Sequence, residues 1–227
     1  MLFRSQNWSQ PPWSPRSLAE SGYLPLRDMV RAALANAGAV RIDHILGMFR
    51  LWWIPDGGAA TEGTYVYYDH EAMMGVILLE AQRAGAVVIG EDLGVVEPWV
   101  RDYRRERGVL GTSVVWFEKE GGGWPLRPEH YRDRALAAVN IHDLPPTLGY
   151  IRGIQTTLRS ELGLLTDDIE TVRAGDRLEL EQMRSRLHEY GCIDGAEPSE
   201  RETVEGLYRY VAKTPSKLVV ASLVDAV

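Results

Sequence analysis

Short apolar runs alternate along the chain with longer stretches in which apolar and polar residues repeat at helical spacing. The apolar runs do not alternate in polarity, which is typical of strands that are buried on both faces. The runs predicted as strands are 40–43, 87–92, 112–117, 135–143 and 217–227. The stretches predicted as helices are 28–37, 69–84, 98–107, 155–162, 167–190 and a last one that begins near 199. Strands that alternate with helices in this way indicate an α/β fold with a parallel sheet.

Residues with known capping preferences mark several helix ends. Asp69 can cap the amino end of a helix that Gly85 closes, and residues 199–202 read Ser-Glu-Arg-Glu, the pattern of a capping box. Residues 1–16, with three prolines, and 45–68 are predicted as loops. No linker rich in proline, glycine or serine divides the chain, so residues 1–227 are predicted to form a single domain.

Three of the predicted strands end in an acidic residue or run directly into one: Asp43, Glu91 and Asp143. Parallel strands bring their carboxyl ends to one edge, and in a β/α barrel that edge holds the active site. The three carboxylates are therefore expected to converge. A closed barrel of this kind has eight strands, whereas five are predicted here. The fold is therefore either an open α/β sheet or part of a barrel.

Composition and charge exclude several classes of partner. The net charge of −7 argues against the basic face that a nucleic-acid-binding protein needs. No apolar run approaches the roughly 20 residues of a membrane-spanning helix, so no membrane partner is expected. The single cysteine, Cys192, allows no disulfide within the chain and favours a reducing compartment such as the cytoplasm. Nothing in the sequence indicates an oligomeric state.

Three carboxylates at one rim suit the chemistry of glycoside cleavage with retention. One ionised carboxylate acts as the nucleophile, and a protonated acid donates to the leaving oxygen. Arg41 precedes Asp43 by two residues, so in a strand both side chains point to the same face and the guanidinium favours an ionised Asp43. Glu91 has no adjacent cation in the sequence, which suits a general acid and base.

Each of these residues also has a structural interpretation. An acid at a strand end commonly caps a helix or forms an ion pair, and Asp92 is predicted to do one of these. His44 and His142 are candidates for binding substrate hydroxyls, although a histidine beside an acid also serves as a simple hydrogen-bond partner. Glu118 is assigned no role.

A metal-dependent hydrolase is an alternative, because His44, His142, Asp43, Glu91 and Asp143 could together offer ligands to a divalent cation. The sequence has no His-x-His or His-x-x-x-His pair that would begin such a site. No metal and no cofactor is therefore predicted.

Three short motifs, in order and each following an apolar strand, resemble those of the 4-α-glucanotransferases, also called amylomaltases. They are Arg-Ile-Asp-His at 41–44, Glu-Asp-Leu-Gly at 91–94 and His-Asp at 142–143. Further similarity lies in Gln-Asn-Trp at 6–8 and in the segments 49–55 and 142–147. The resemblance implies a partial (β/α)8 barrel, with strands about four to eight in residues 1–227 and the earlier strands outside this sequence.

The resemblance also implies roles for individual residues. Asp43 corresponds to the nucleophile, Glu91 to the general acid and base, and Asp143 to the stabiliser of the transition state. Arg41 would keep Asp43 ionised, and His142 would contact the same sugar. Gln6 and Trp8 would line the acceptor side. The implied partner is an α-1,4-glucan, and a truncated remnant that only binds glucan is a further alternative.

Overall fold

The structure is a computed structural model that describes residues 10–94, 96–195 and 197–226. The chain divides into two compact units, Met1–Leu110 and Gly111–Val227. Parallel strands accompanied by helices occur in both units, which confirms the predicted α/β class. None of the helices among the described residues has both the length and the apolar character needed to cross a membrane.

The first unit contains a pair of parallel strands and a helical layer. Its elements are α1 (Pro15–Glu20), α2 (Leu24–Leu34), β1 (Ala39–Ile42), β2 (Arg50–Trp53), β3 (Thr64–Tyr67), α3 (His70–Ala84), β4 (Val87–Gly90) and α4 (Pro98–Glu106). Strand β1 pairs with β4, with Ala39 opposite Val87 and Ile42 opposite Gly90. Helix α2 packs against α3. The buried core includes Leu26, Val30, Leu34, Ile45, Met74, Ile77 and Val88.

Local signals set the ends of the helices in this unit. The Asp69 side chain accepts a hydrogen bond from the Ala72 N–H, and Gly85 closes α3 with a left-handed φ of 64°. Both predictions are confirmed. The predicted loop 1–16 is wrong at its end, because Pro15 begins α1. Proline is well tolerated in the first turn of a helix, where its missing N–H needs no partner.

The predicted loop 45–68 is also partly wrong, because it contains an antiparallel hairpin formed by β2 and β3. Trp52 lies opposite Tyr65, with their ring centroids 5.0 Å apart, and the Arg50 guanidinium lies 4.4 Å from the centre of the Tyr65 ring. Cross-strand aromatic and cation–π pairs stabilise short hairpins. The hairpin therefore depends on contacts between strands that the sequence pattern does not show.

The second unit is built on three parallel strands. Its elements are β5 (Gly111–Val114), β6 (Ala135–Ala138), α5 (Thr147–Ile151), α6 (Ile154–Glu161), α7 (Ile169–Glu189), α8 (Glu200–Val211) and β7 (Leu218–Val220). Strand β6 lies in the middle, between β5 and β7, and all four of its residues are buried. The capping box predicted at the start of α8 is confirmed, with Ser199 and Glu202 hydrogen-bonded reciprocally.

All three strands of this unit end earlier than predicted. Strand β5 ends at Val114 rather than at residue 117. Strand β6 ends at Ala138 rather than at Asp143, because the Asn140 side chain accepts the Ile141 N–H at 2.8 Å and takes that donor away from a strand ladder. Strand β7 ends at Val220, and a turn of 3-10 helix follows at Leu223–Asp225. Asp143 therefore lies in a connecting segment, not in a strand.

Candidate active site

Asp43 and Glu91 lie at the same end of the β1–β4 pair. The last paired residues of the two strands, Ile42 and Gly90, are opposite each other, and each acid is the next residue along its strand. The Glu91 N–H donates to the Ile42 carbonyl at 2.8 Å, which extends the pairing by one step. The parallel register thus places both acids at the carboxyl edge of this pair.

Backbone amides hold the Glu91 carboxylate. The His44 N–H donates to Oε2 at 2.9 Å, and the Leu93 N–H donates to Oε1 at 2.5 Å. The Glu91 carbonyl in turn accepts the Ile45 N–H at 3.0 Å. Within the described ranges Glu91 forms no ion pair, so its surroundings differ from those of Asp43. The position of this side chain is therefore set by the His44 amide, which follows Asp43, and by the Leu93 amide of its own segment.

His44 has a backbone conformation that is uncommon for residues other than glycine, with φ 46° and ψ 59°. This left-handed turn directs its N–H towards Glu91. Histidine is enriched among the non-glycine residues of the left-handed region, but most histidines adopt other conformations, so the sequence alone does not locate this turn. The predicted contact of its imidazole with substrate hydroxyls stays a prediction.

Arg41 donates from Nη1 to Oδ1 of Asp43 at 2.8 Å, as their spacing in the strand predicted. The arginine is three-quarters buried, whereas 59% of the Asp43 side chain is exposed. The carboxylate is therefore fixed on one side by a cation and open to solvent on the other. An ionised acid that an incoming molecule can reach is the arrangement that a nucleophile requires.

Asp92 belongs to the scaffold, as predicted. Its carboxylate pairs with Nη2 of Arg104 at 2.6 Å, and both side chains are buried. Arg104 also donates to the Val109 carbonyl at 3.3 Å. This ion pair joins helix α4 to the segment that follows β4. It therefore fixes the backbone directly after Glu91.

Replacing Asp92 with alanine is expected to lower the free energy of unfolding by about 3–5 kcal/mol, because it removes one partner of a buried ion pair. The matched control is Asp102→Ala, which breaks the exposed pair with Arg105 on α4 and is expected to change the free energy of unfolding by about 0.5 kcal/mol or less. Urea unfolding of the full-length protein and both variants measures the difference. Equal losses in the two variants would contradict the structural role of Asp92.

His142 and Asp143 follow β6 in the second unit. Nε2 of His142 lies 3.3 Å from Oδ1 of Asp143, and more than half of each side chain is exposed. A turn closes this segment, because the Leu144 N–H donates to the Ile141 carbonyl at 3.0 Å. Both side chains are thus presented to solvent beyond the carboxyl end of β6.

Aromatic side chains line a cavity of about 370 Å³ in the first unit. Its walls include Trp13, Trp52, Trp53 and Tyr68. Gly47 also borders it, four residues after Asp43. The flat rings and the volume suit a ligand that combines an apolar face with hydroxyl groups. The other predicted site residues, Gln6 and Trp8, lie outside the described residues.

The sequence from residue 3 to residue 227 matches the family model of 4-alpha-glucanotransferases. The 4-alpha-glucanotransferase of Mycobacterium tuberculosis (strain ATCC 25618 / H37Rv) is 55% identical over 227 residues, covering 98% of this chain and 31% of the relative. That of Haemophilus influenzae is 36% identical over 164 residues, covering 72% of this chain and 23% of the relative. The chain thus spans less than a third of the length of these curated relatives.

Solved structures show the same likeness. The crystal structure of an amylomaltase from Corynebacterium glutamicum matches with a TM-score of 0.89 and 43% sequence identity, over 97% of this chain and 33% of that one. An amylomaltase from Streptococcus agalactiae in complex with acarbose matches with a TM-score of 0.65 over 94% of this chain and 38% of that one. At 18% identity the second match shows similarity of fold alone.

Proposed function

We propose, from the premise that the chain belongs to the 4-alpha-glucanotransferase family, that it carries the catalytic residues of an enzyme that transfers α-1,4-glucan segments to the 4-hydroxyl of another sugar. The observation that carries the proposal is the difference between the two acids at the end of β1 and β4. Asp43 is paired with Arg41 and exposed, whereas Glu91 is positioned by two backbone amides and forms no ion pair with any described residue.

In the first step, the Asp43 carboxylate attacks the anomeric carbon of the donor glucan. Glu91 gives its proton to the glycosidic oxygen, the bond between that oxygen and the anomeric carbon breaks, and the shortened glucan leaves. The glycosyl part remains as a β-linked ester on Asp43. The developing positive charge on the sugar is stabilised by nearby carboxylates, for which we propose Asp143.

In the second step, Glu91 takes the proton from the 4-hydroxyl of an acceptor sugar. The acceptor oxygen attacks the anomeric carbon, and the ester bond to Asp43 breaks. Two inversions restore the α configuration, and both acids return to their starting protonation states. We propose that His142 contacts the same sugar as Asp143, and that His44, Gln6 and Trp8 contribute to substrate binding.

Transfer exceeds hydrolysis only if water is kept away from the ester while the acceptor is bound. The aromatic cavity of the first unit supports a role in excluding water. One of its lining residues, Gly47, is four residues from Asp43 in the sequence, and its rings offer flat apolar surfaces to sugars. We also propose that residues 1–227 form strands about four to eight of a single barrel domain. The likeness of the chain to the C. glutamicum amylomaltase supports an α/β fold of this kind. The cytoplasmic location stays a prediction.

Incubating the full-length protein with maltotriose is expected to release glucose and to produce longer maltooligosaccharides, which chromatography of the products measures. Hydrolysis alone gives no product longer than the substrate, so it would contradict a transferase. The same assay on residues 1–227 alone tests the alternative of a chain that binds glucan without reacting. That alternative predicts retarded migration of the chain in a gel containing amylose, with no new products.

A further inference from the structure

We propose that Asp225 is a positioning residue for the transfer reaction, because its carboxylate fixes the segment that presents His142 and Asp143. This inference rests on the proposed function, since it assumes that Asp143 acts on the transition state. All of the residues concerned belong to the second unit.

The Asp225 carboxylate accepts three hydrogen bonds from two elements. Oδ1 accepts the backbone N–H of Thr147 at 2.9 Å, and Oδ2 accepts the Thr147 hydroxyl at 2.6 Å. The Tyr208 hydroxyl donates to the same Oδ2, also at 2.6 Å. Thr147 is completely buried. Hydrogen bonds to a carboxylate are shorter and stronger than those between neutral groups, so this contact holds Thr147 firmly.

Tyr208 is suited to remain a donor in this arrangement. Burial raises the pKa of its hydroxyl to about 12, and the hydrogen bond to Asp225 contributes to the shift. The Tyr208 oxygen also accepts the Ser222 N–H at 3.2 Å. The carboxylate of Asp225 is therefore held on the α8 side by a protonated phenol at neutral pH, and on the other side by the first residue of α5.

Helix α5 has no capping side chain of its own. Its N-cap residue is Pro146, and no side chain of that cap accepts a hydrogen bond. The Thr147 N–H is one of the donors that a helix leaves unsatisfied at its amino end, and Asp225 supplies the acceptor from a distant part of the sequence. The start of α5 is thus defined by a tertiary contact.

The segment between Asp143 and Thr147, which contacts Asp225, is short and conformationally restricted. Only three residues lie between Asp143 and Thr147, and two of them are Pro145 and Pro146, whose φ angles are fixed by their rings. The turn between Ile141 and Leu144 constrains the same segment. A displacement of Thr147 is therefore passed on to Asp143.

The side chains of His142 and Asp143 are more than half exposed, so packing alone does not fix them. Their segment is anchored at one end by the buried strand β6 and at the other end by Thr147 on Asp225. Loss of the second anchor leaves the segment held at one end only. The reacting geometry would then loosen while the substrate could still bind elsewhere.

The test uses the full-length protein with Asp225→Ala. We expect kcat for maltotriose disproportionation to fall about 10- to 100-fold with KM little changed, because small misplacements of catalytic groups reduce the rate by such factors. The matched control is Arg152→Gln, which removes the ion pair with Glu200 that joins α8 to the other end of α5. This control is expected to retain its kcat. Unchanged kcat in Asp225→Ala would overturn the proposal.

A double-mutant cycle with Asp143→Asn separates positioning from general destabilisation. If Asp225 acts through this segment, Asp225→Ala has a much smaller effect on kcat once Asp143 is replaced, and what remains is the part that passes through His142. Losses that multiply would overturn the proposal. Full activity of Asp143→Asn would instead reject the role of Asp143 in the proposed function, and this inference with it. An active Asp225→Ala beside an impaired Asp143→Asn would reject the inference alone.

If Asp225→Ala shows no cooperative thermal unfolding, two milder variants replace it in the same cycle. Thr147→Val and Tyr208→Phe each remove one hydroxyl donor and leave the carboxylate and the Thr147 N–H in place. Each is expected to lower kcat by a smaller factor, and that loss should again become much smaller in the Asp143→Asn background. Persistence of the full loss in that background would contradict the inference.

Discussion

Replacing Asp43 with asparagine is expected to lower kcat of the full-length protein by about 10⁴-fold or more in maltotriose disproportionation. The amide is a poor nucleophile, so the ester with the anomeric carbon does not form. The asparagine side chain keeps an oxygen that can accept from the Arg41 guanidinium, so the local geometry is retained while the chemistry is lost. Initial rates of glucose release measure the effect.

The matched control for this variant is Asp28→Asn. Asp28 is an exposed acid on α2 whose carboxylate also accepts hydrogen bonds from a nearby arginine, Arg27, at 2.8 and 2.9 Å. It should retain its rate. Mass spectrometry of the protein quenched during turnover provides a second measurement, since a covalent glycosyl adduct should form on the unchanged protein and be absent from Asp43→Asn. Comparable kcat in the two variants would remove Asp43 from the proposed mechanism.

Replacing Glu91 with glutamine is expected to lower kcat by about 10²- to 10⁴-fold, the usual contribution of a general acid and base. Both steps of the transfer need a proton to move through this residue. Glutamine also has to turn an NH₂ group towards the N–H of His44 or of Leu93, because both Glu91 oxygens are acceptors in the structure. Glu91→Ala avoids that conflict and should show a loss of similar size.

Azide distinguishes the role of Glu91 from that of a binding residue. With a donor whose leaving group needs no protonation, such as maltosyl fluoride, Glu91→Ala should still form the ester on Asp43. Azide needs no base and should then release the glycosyl group as an α-glycosyl azide, with faster turnover. Absence of any azide effect would contradict the assignment. Glu202→Gln, in which the replaced carboxylate likewise accepts a backbone N–H, is the control and should keep its rate.

Features that depend on local sequence could be predicted, and those that depend on tertiary contacts could not. Helix α3 has its cap at Asp69 and its stop at Gly85, and both signals lie within the helix or next to it. The hairpin of β2 and β3 was not predicted, because the contact between Trp52 and Tyr65 forms only when the two strands pair. An aromatic residue in a row of aromatics shows no polarity pattern that would reveal a strand.

The candidate site also combines features that local sequence predicts with features that depend on tertiary contacts. The pairing of Arg41 with Asp43 follows from their spacing in a strand. The apolar runs before Asp43 and Glu91 indicated where β1 and β4 end, whereas the run before Asp143 extends past the end of β6. Asp225 could not be identified, because its two partners lie 78 and 17 residues away in the sequence. Likewise, the left-handed turn at His44, which brings its N–H to Glu91, could not be located from the general tendency of histidine towards that region.

The hydrogen bond from the His44 N–H to Glu91 means that the two proposed catalytic acids share one piece of main chain. Asp43 is part of it, and Glu91 is hydrogen-bonded to it by its side chain at His44 and by its own backbone at Ile42 and Ile45. Redesign of acceptor preference should therefore leave residues 42–45 intact and diversify the walls of the aromatic cavity instead. Transplanting the pair into another scaffold would require both strand ends together, since neither acid keeps its place without the other's backbone.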